Sequence, residues 1–226
     1  MNYSGHIAFG LEVYKKIHKY IKDKDVFITG CVAPDIAIPD TITKGIGHFR
    51  EDSEYYFLAP DLNKFLAKYK NRLNEDFVLG YFCHLYADVV FSKYYMPSIA
   101  TPLDKDYNRF NSRKAKYIYL SKNQNIMDAK LYAKMNPIYQ DYTISDSHLI
   151  KEFNLPLDFN FSLEDPKIDE IDPSKLSKIK TEVKVYFSNA VIDEETMIMD
   201  IQGYCDTIRK YSDVFVDYYL NNVVKK

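Results

Sequence analysis

The segment from Asp76 to Tyr95 constrains this chain more than any other. It is the most apolar run in the sequence, is stopped before Pro97, and carries His84 and Asp88 four residues apart. A run of that length and composition reads as a helix, and the residue before a proline marks its end. Four-residue spacing puts imidazole and carboxylate on one helix face, one turn apart. A carboxylate on so apolar a helix is costly to bury unless it is paired or bound to a cation. The chain must therefore fold around a central helix that takes a polar pair inside with it. The same two residues keep Phe77 to Phe91 from qualifying as a membrane span, so no transmembrane segment is expected.

Other helices follow from apolar residues at spacings of three and four. Ile7, Leu11, Tyr14, Ile17 and Ile21 predict a helix over residues 5–22, with Ser4 as its N-cap. Leu62, Phe65, Leu66, Tyr69 and Leu73 predict one over 61–73. Short helices are expected over 127–135 and 145–153, and two longer ones over 176–190 and 193–221. Val26 to Ala33 reads as a short apolar piece ending at Pro34-Asp35, and residues 36–50, with Pro39, Gly45 and Gly47, as a loop. Residues 98–124 are less periodic and carry Lys105, Arg109, Arg113, Lys114, Lys116 and Lys122, read as a solvated face. Residues 154–174 hold three prolines and six acids against Lys167 alone, and read as an exposed loop. With only 7 glycines in 226 residues, a turn-rich sandwich or barrel is disfavoured. The expectation is a single all-α domain over 1–226, a bundle of about six to eight helices.

A formal net charge of −2 argues against a dedicated nucleic-acid surface, which ordinarily shows a basic excess. Three cysteines without a CxxC pair suit a reducing compartment better than a disulfide framework. The opening residues show no basic and apolar leader, so a cytoplasmic location is expected.

Chemistry concentrates in the first 90 residues. His6 opens the first helix, Asp35 ends the apolar piece, His48 follows a glycine-containing loop, and His84 and Asp88 sit on the central helix. Gly10 and Gly80, each one turn from a histidine, leave room beside the imidazoles. His18 lies among apolar positions and reads as a core residue. Three histidines and two carboxylates make a nitrogen and oxygen donor set of the kind zinc takes. There is no HExxH, no His-Asp dipeptide, no P-loop and no GxGxxG, which removes the common zinc-protease, HD-type phosphohydrolase and nucleotide-loop readings.

His6 at a helix start, Gly30-x3-Pro34-Asp35, His48-Phe49, and Phe77-x-Leu79-Gly80-Tyr81-x2-His84-x3-Asp88 together resemble the zinc-dependent phospholipase C family over about residues 5–95. That family is all-α and related in fold to the P1-type nucleases. The resemblance implies that Asp35, His48, His84 and Asp88 hold one zinc, and that His6 and Asp88 help to hold another, with Asp88 bridging. It also implies that Asp35 is the base that activates a water, and that the substrate is a small phosphodiester or a phospholipid head group. The chain departs from the family in having no Trp, which secreted members use as an N-terminal amine ligand, and in placing Tyr94 where a further zinc needs histidine. A later His-x3-Glu is matched in spacing only by His148 and Glu152, read as an exposed pair. The expectation is thus one or two ions in a metal-dependent phosphoesterase; the alternative is a non-catalytic metal-binding or interaction protein descended from that family.

Overall fold

Two glycines set the centre of the fold. In a computed structural model, which describes residues 1–190 and 194–225, α2 (Lys24–Ile36) and α5 (Asp76–Val90) lie backbone against backbone at Gly30 and Gly80. A Cβ at Gly80 would lie 2.1 Å from the Phe27 carbonyl oxygen, and one at Gly30 would lie 2.3 Å from that of Phe77. Neither glycine has a positive φ, so close approach is what requires them there. This corrects the expectation that Gly80 leaves space beside His84: that space is filled by α2. Gly10 likewise faces the Cys31 sulfur, which a Cβ would meet at 2.8 Å.

α1 (Tyr3–Ile17) packs on α2 and α5, with Ile7, Leu11 and Ile17 buried in the core. Its N-cap is Asn2, whose side chain accepts from the Gly5 N–H at 3.2 Å, and not Ser4, which lies in the first turn. The helix ends in a 3₁₀ turn over His18–Tyr20, and His18 is exposed there, not in the core. α2 absorbs the apolar piece and continues through Pro34-Asp35, because packing on α5 holds the turn despite the missing N–H. A short α3 (Lys44–Gly47) interrupts the expected loop, and α4 (Leu62–Tyr69) follows. After α5 a wider π turn over Phe91–Tyr95 leads into α6 (Met96–Ile99).

The all-α expectation misses a small sheet. β1 (Ala100–Leu103), β2 (Tyr117–Leu120) and β3 (Asn125–Asp128) form an antiparallel meander in that order, with Ala100 opposite Leu120 and Tyr117 opposite Asp128. Along Tyr117-Ile118-Tyr119-Leu120 burial alternates with a period of two, a strand signal that a search for helical spacing passes over. The basic residues between β1 and β2 are exposed, as a solvated face should be.

α7 (Ala129–Met135) and α8 (Pro137–Glu152) meet at Asn136, whose left-handed φ of 48° suits asparagine and whose successor Pro137 starts the next helix. α8 is thus longer than the helix expected over 145–153. The acidic loop over 154–174 is present but only partly exposed. Ile168, Glu170 and Ile171 are buried, and the Glu170 carboxylate accepts from Lys68 Nζ and the Tyr69 hydroxyl, each at 2.6 Å. The chain ends with α9 (Leu176–Ser188) and α10 (Ile201–Tyr219), capped by Asp200. Asp193, the expected start of the last helix, lies outside the described residues. Phe215 of α10 packs on Phe9, Phe82 and Tyr86, which fastens α10 to α1 and α5. Among the described residues no helix is long and apolar enough to cross a membrane.

Candidate metal centre

The five residues singled out in the sequence converge where α1, α2 and α5 meet. His6 enters from α1, Asp35 from the last turn of α2, His48 from the end of α3, and His84 and Asp88 from α5. The three histidines are at most 2% exposed. The α3 turn is held against α5 by the Tyr81 hydroxyl, which donates to the Gly47 carbonyl oxygen. Phe49, at a left-handed φ of 49°, then reverses the chain between a buried His48 and an exposed Arg50. Its ring packs edge-on against Phe65, Tyr69 and Tyr81, which holds this unfavourable backbone in place.

Backbone carbonyls fix which nitrogen of two imidazoles faces the centre. His84 Nδ1 lies 2.9 Å from the Cys31 carbonyl oxygen, and His48 Nδ1 lies 2.9 Å from that of Lys44. A carbonyl can only accept, so each Nδ1 carries the proton and, in the neutral ring, each Nε2 is left as a lone pair. Those two Nε2 atoms face each other at 3.2 Å. With both rings neutral, no proton lies between them and the contact is repulsive. His6, stacked on His84 with centroids 3.8 Å apart, has no hydrogen-bond partner on either ring nitrogen among the described residues. Buried polar atoms of this kind are rarely left unsatisfied without a functional reason.

Each carboxylate turns one oxygen to each of two neighbouring positions. Asp35 Oδ1 lies 3.2 Å from His48 Nε2, while its Oδ2 lies 3.6 Å from His6 Nε2. Asp88 Oδ2 lies 3.6 Å from His84 Nε2 and 3.7 Å from His48 Nε2, while its Oδ1 lies 3.4 Å from His6 Nε2. The donors thus form two overlapping groups, His6-His84-Asp88 and Asp35-His48-His84. Tetrahedral coordination at zinc–nitrogen and zinc–oxygen bond lengths needs donors about 3.3 to 3.6 Å apart. The separations of 3.2 to 3.7 Å among His48, His84 and their nearest carboxylate oxygens lie close to that spacing. The donor chemistry and the orphaned imidazoles both suit a divalent cation.

Electrostatics prepare the same donors. Burial pushes His84 well below the ordinary histidine range and lowers His6 as well, which keeps both neutral and able to donate. Burial opposes ionisation of Asp35, yet the imidazoles beside it, His48 first, and the Lys44 ammonium hold its carboxyl well below the usual range. Asp88 is held low in the same way, against burial, chiefly by the Met1 amino group. Two cations missed in the sequence make these contacts: Lys44 Nζ is 2.6 Å from Asp35 Oδ1, and the Met1 amine is 2.6 Å from Asp88 Oδ1. Lys44 sits four residues before His48, and nothing in the helical pattern marked it.

The remaining candidates stay apart. His148 and Glu152 are exposed on α8, with Glu152 paired to Arg209, and Tyr94 is exposed beyond α5. Cys83 is buried against Cys31 between α5 and α2 and takes no part in the cluster. A cleft of about 320 Å³ opens onto His48 and Asp88 and is walled by Arg50, Tyr56, Phe91 and Tyr139 among others. Comparison with family models, curated proteins and solved structures found no match to this chain.

Proposed function

We propose that this chain is a metal-dependent phosphodiesterase, in which Asp35, His48, His84 and Asp88 hold one divalent ion and His6, with the second oxygens of Asp35 and Asp88, contributes to another. The observation that carries the reading is the approach of His48 Nε2 to His84 Nε2 at 3.2 Å beside the carboxylates of Asp35 and Asp88. A cation between these donors stabilises such an arrangement. Zinc is the ion we assign, since imidazole and carboxylate donors suit it and the sequence resemblance to zinc-dependent phospholipases C points the same way. A bound zinc supplies Lewis acidity toward a phosphoryl oxygen and lowers the pKa of water.

The chain's own groups do the rest. Asp35 accepts a hydrogen bond from the attacking water and so orients it, with Lys44 fixing that carboxylate from outside. Asp88 balances the charge of both positions, and the Cys31 and Lys44 carbonyls hold His84 and His48 in the donating tautomer. The cleft gives a small phosphodiester a route to His48 and Asp88. A second reading, a structural ion that only ties α1, α2 and α5 together, draws on the near-complete burial of the three histidines.

Elemental analysis of the purified protein, run beside hydrolysis of bis(4-nitrophenyl) phosphate, separates the two. Bound zinc with turnover supports the enzyme. Bound zinc without turnover on any phosphodiester supports the structural ion. Protein that binds no divalent ion at micromolar concentration overturns both.

A further inference from the structure

One cation in the cleft has no work in the fold. Arg50 is exposed, lines the cleft with His48 and Asp88, and its guanidinium makes no ion pair or hydrogen bond among the described residues. The other positive groups near the centre are engaged: Lys44 with Asp35, and the Met1 amine with Asp88. Beside Arg50 the wall presents the rings of Tyr56, Phe57, Phe91, Tyr139 and Tyr142. Such a cleft offers one charged, forked donor beside stacking surfaces. Among the described residues it lacks the several cations that a polyphosphate needs, and Asp88 is its one carboxylate.

Resting on the phosphodiesterase reading, we infer that Arg50 binds the substrate anion, and that the substrate is a singly charged phosphodiester bearing an aromatic or apolar group. The guanidinium fork matches two phosphoryl oxygens. The rings of Tyr56, Phe91 and Tyr139 receive the organic group. A cleft of about 320 Å³ suits a ligand of about fifteen non-hydrogen atoms, in keeping with a small-molecule site. Phe49 makes the arrangement possible, since its reversed backbone places Arg50 at the cleft immediately after His48 turns inward.

The test uses diphenylphosphinate, a singly charged ligand with no leaving group, and diphenyl sulfone, its uncharged counterpart of like shape. Binding is read by tyrosine fluorescence on wild type, Arg50→Gln and Arg50→Lys, after zinc content has been measured on each. Arg50→Gln is expected to weaken phosphinate about tenfold or more while leaving sulfone binding and zinc content unchanged. Arg50→Lys, which keeps charge but loses the fork, should fall between. Equal phosphinate affinity in wild type and Arg50→Gln overturns the assignment. So does parallel weakening of the sulfone, which would show a collapsed cleft and no reading of charge. Zinc content judges the metal cluster separately, because the phosphinate ratio between wild type and Arg50→Gln is measurable with or without zinc.

Discussion

Replacing Gly80 by alanine tests whether the α2–α5 contact sets both the fold and the metal centre. The added Cβ would stand 2.1 Å from the Phe27 carbonyl oxygen and 3.0 Å from both the Cys31 nitrogen and the Gly30 Cα. Ordinary contact begins at 3.4 Å, so the carbonyl is too close by roughly 1.3 Å. Backbone cannot rotate away as a side chain can, so the helices must part by about 1 Å. Overpacking against so rigid a wall costs about 3 to 4 kcal/mol. Alanine recovers about 1 kcal/mol of helix propensity. The net loss of about 2 to 3 kcal/mol lowers Tm by about 5 to 10 °C in a chain of this size. The hydrogen bond from His84 Nδ1 to the Cys31 carbonyl, 2.9 Å long, crosses the same interface. Lengthened to about 4 Å it no longer fixes the tautomer, so zinc affinity should fall with stability. Thermal unfolding by circular dichroism and zinc analysis by mass spectrometry measure the two effects. Gly45→Ala is the control, because its Cβ would meet nothing nearer than 3.6 Å, and it should move Tm by no more than about 2 °C. Gly80→Ala with unchanged Tm and full zinc content would refute the reasoning.

Four further outcomes are expected. Asp88→Asn keeps the shape of the side chain but removes the charge shared by both positions, so it should stay folded while losing zinc and phosphodiester hydrolysis together; retention of both sinks the bridging role. His84→Ala should lose zinc and also about 2 kcal/mol or more of stability from the space left in a fully buried site, read from zinc content and Tm together. His148→Ala should change neither, since the residue is exposed on α8, and a large loss of zinc would bring that helix into the centre. Asp146, buried with Oδ1 accepting from Asn2 at 2.7 Å and Oδ2 without a partner among the described residues, has its pKa raised by burial from 3.8 to about 7. A raised carboxyl stabilises the fold fully below pH 4 and loses that contribution as pH rises to about 7, by about 4 kcal/mol at most. The stability difference between Asp146→Asn and wild type should therefore shift in the variant's favour across that window, and a constant difference in denaturant titrations would contradict it.

The long amphipathic segments were legible because burial on one side of a helix leaves a spacing that a single sequence displays, as in Ile7, Leu11 and Ile17 or in the run from Asp76. Boundaries were not, since caps depend on which polar side chain finds an N–H: Asn2, not Ser4, makes that bond. The sheet escaped because each strand is only four residues long, and only Tyr117 to Leu120 alternates cleanly. Gly80 was noticed for the wrong reason. Sequence shows that a side chain is missing, but only the neighbouring helix shows what fills the place. For the site, chemistry outweighed pattern, and five donors scattered over more than eighty positions do converge. His48 and Asp35 were individually unremarkable as loop residues and gain meaning only from each other at 3.2 Å. Lys44 and the Met1 amine left no such signal, because a cation beside a carboxylate carries no spacing rule when the two come from different elements.

Fold and centre are therefore one construction, and that has a thermodynamic consequence. The glycine contact places Cys31 beside His84, Cys31 fixes the His84 tautomer, and the tautomer aims a lone pair at that of His48. Every step that makes the donors ready for a cation also raises the energy of the protein without one, since facing lone pairs and unpartnered imidazole nitrogens oppose folding. An ion that binds only the native state returns that energy through mass action, by about 2.7 kcal/mol at a hundredfold excess over Kd. Zinc should accordingly raise Tm in wild type, and in Gly80→Ala the gain should shrink more than the intrinsic stability does. The overlap acts on the contact that orients the donors before it acts on the remaining core, where α10 still clasps α1 and α5 through Phe215.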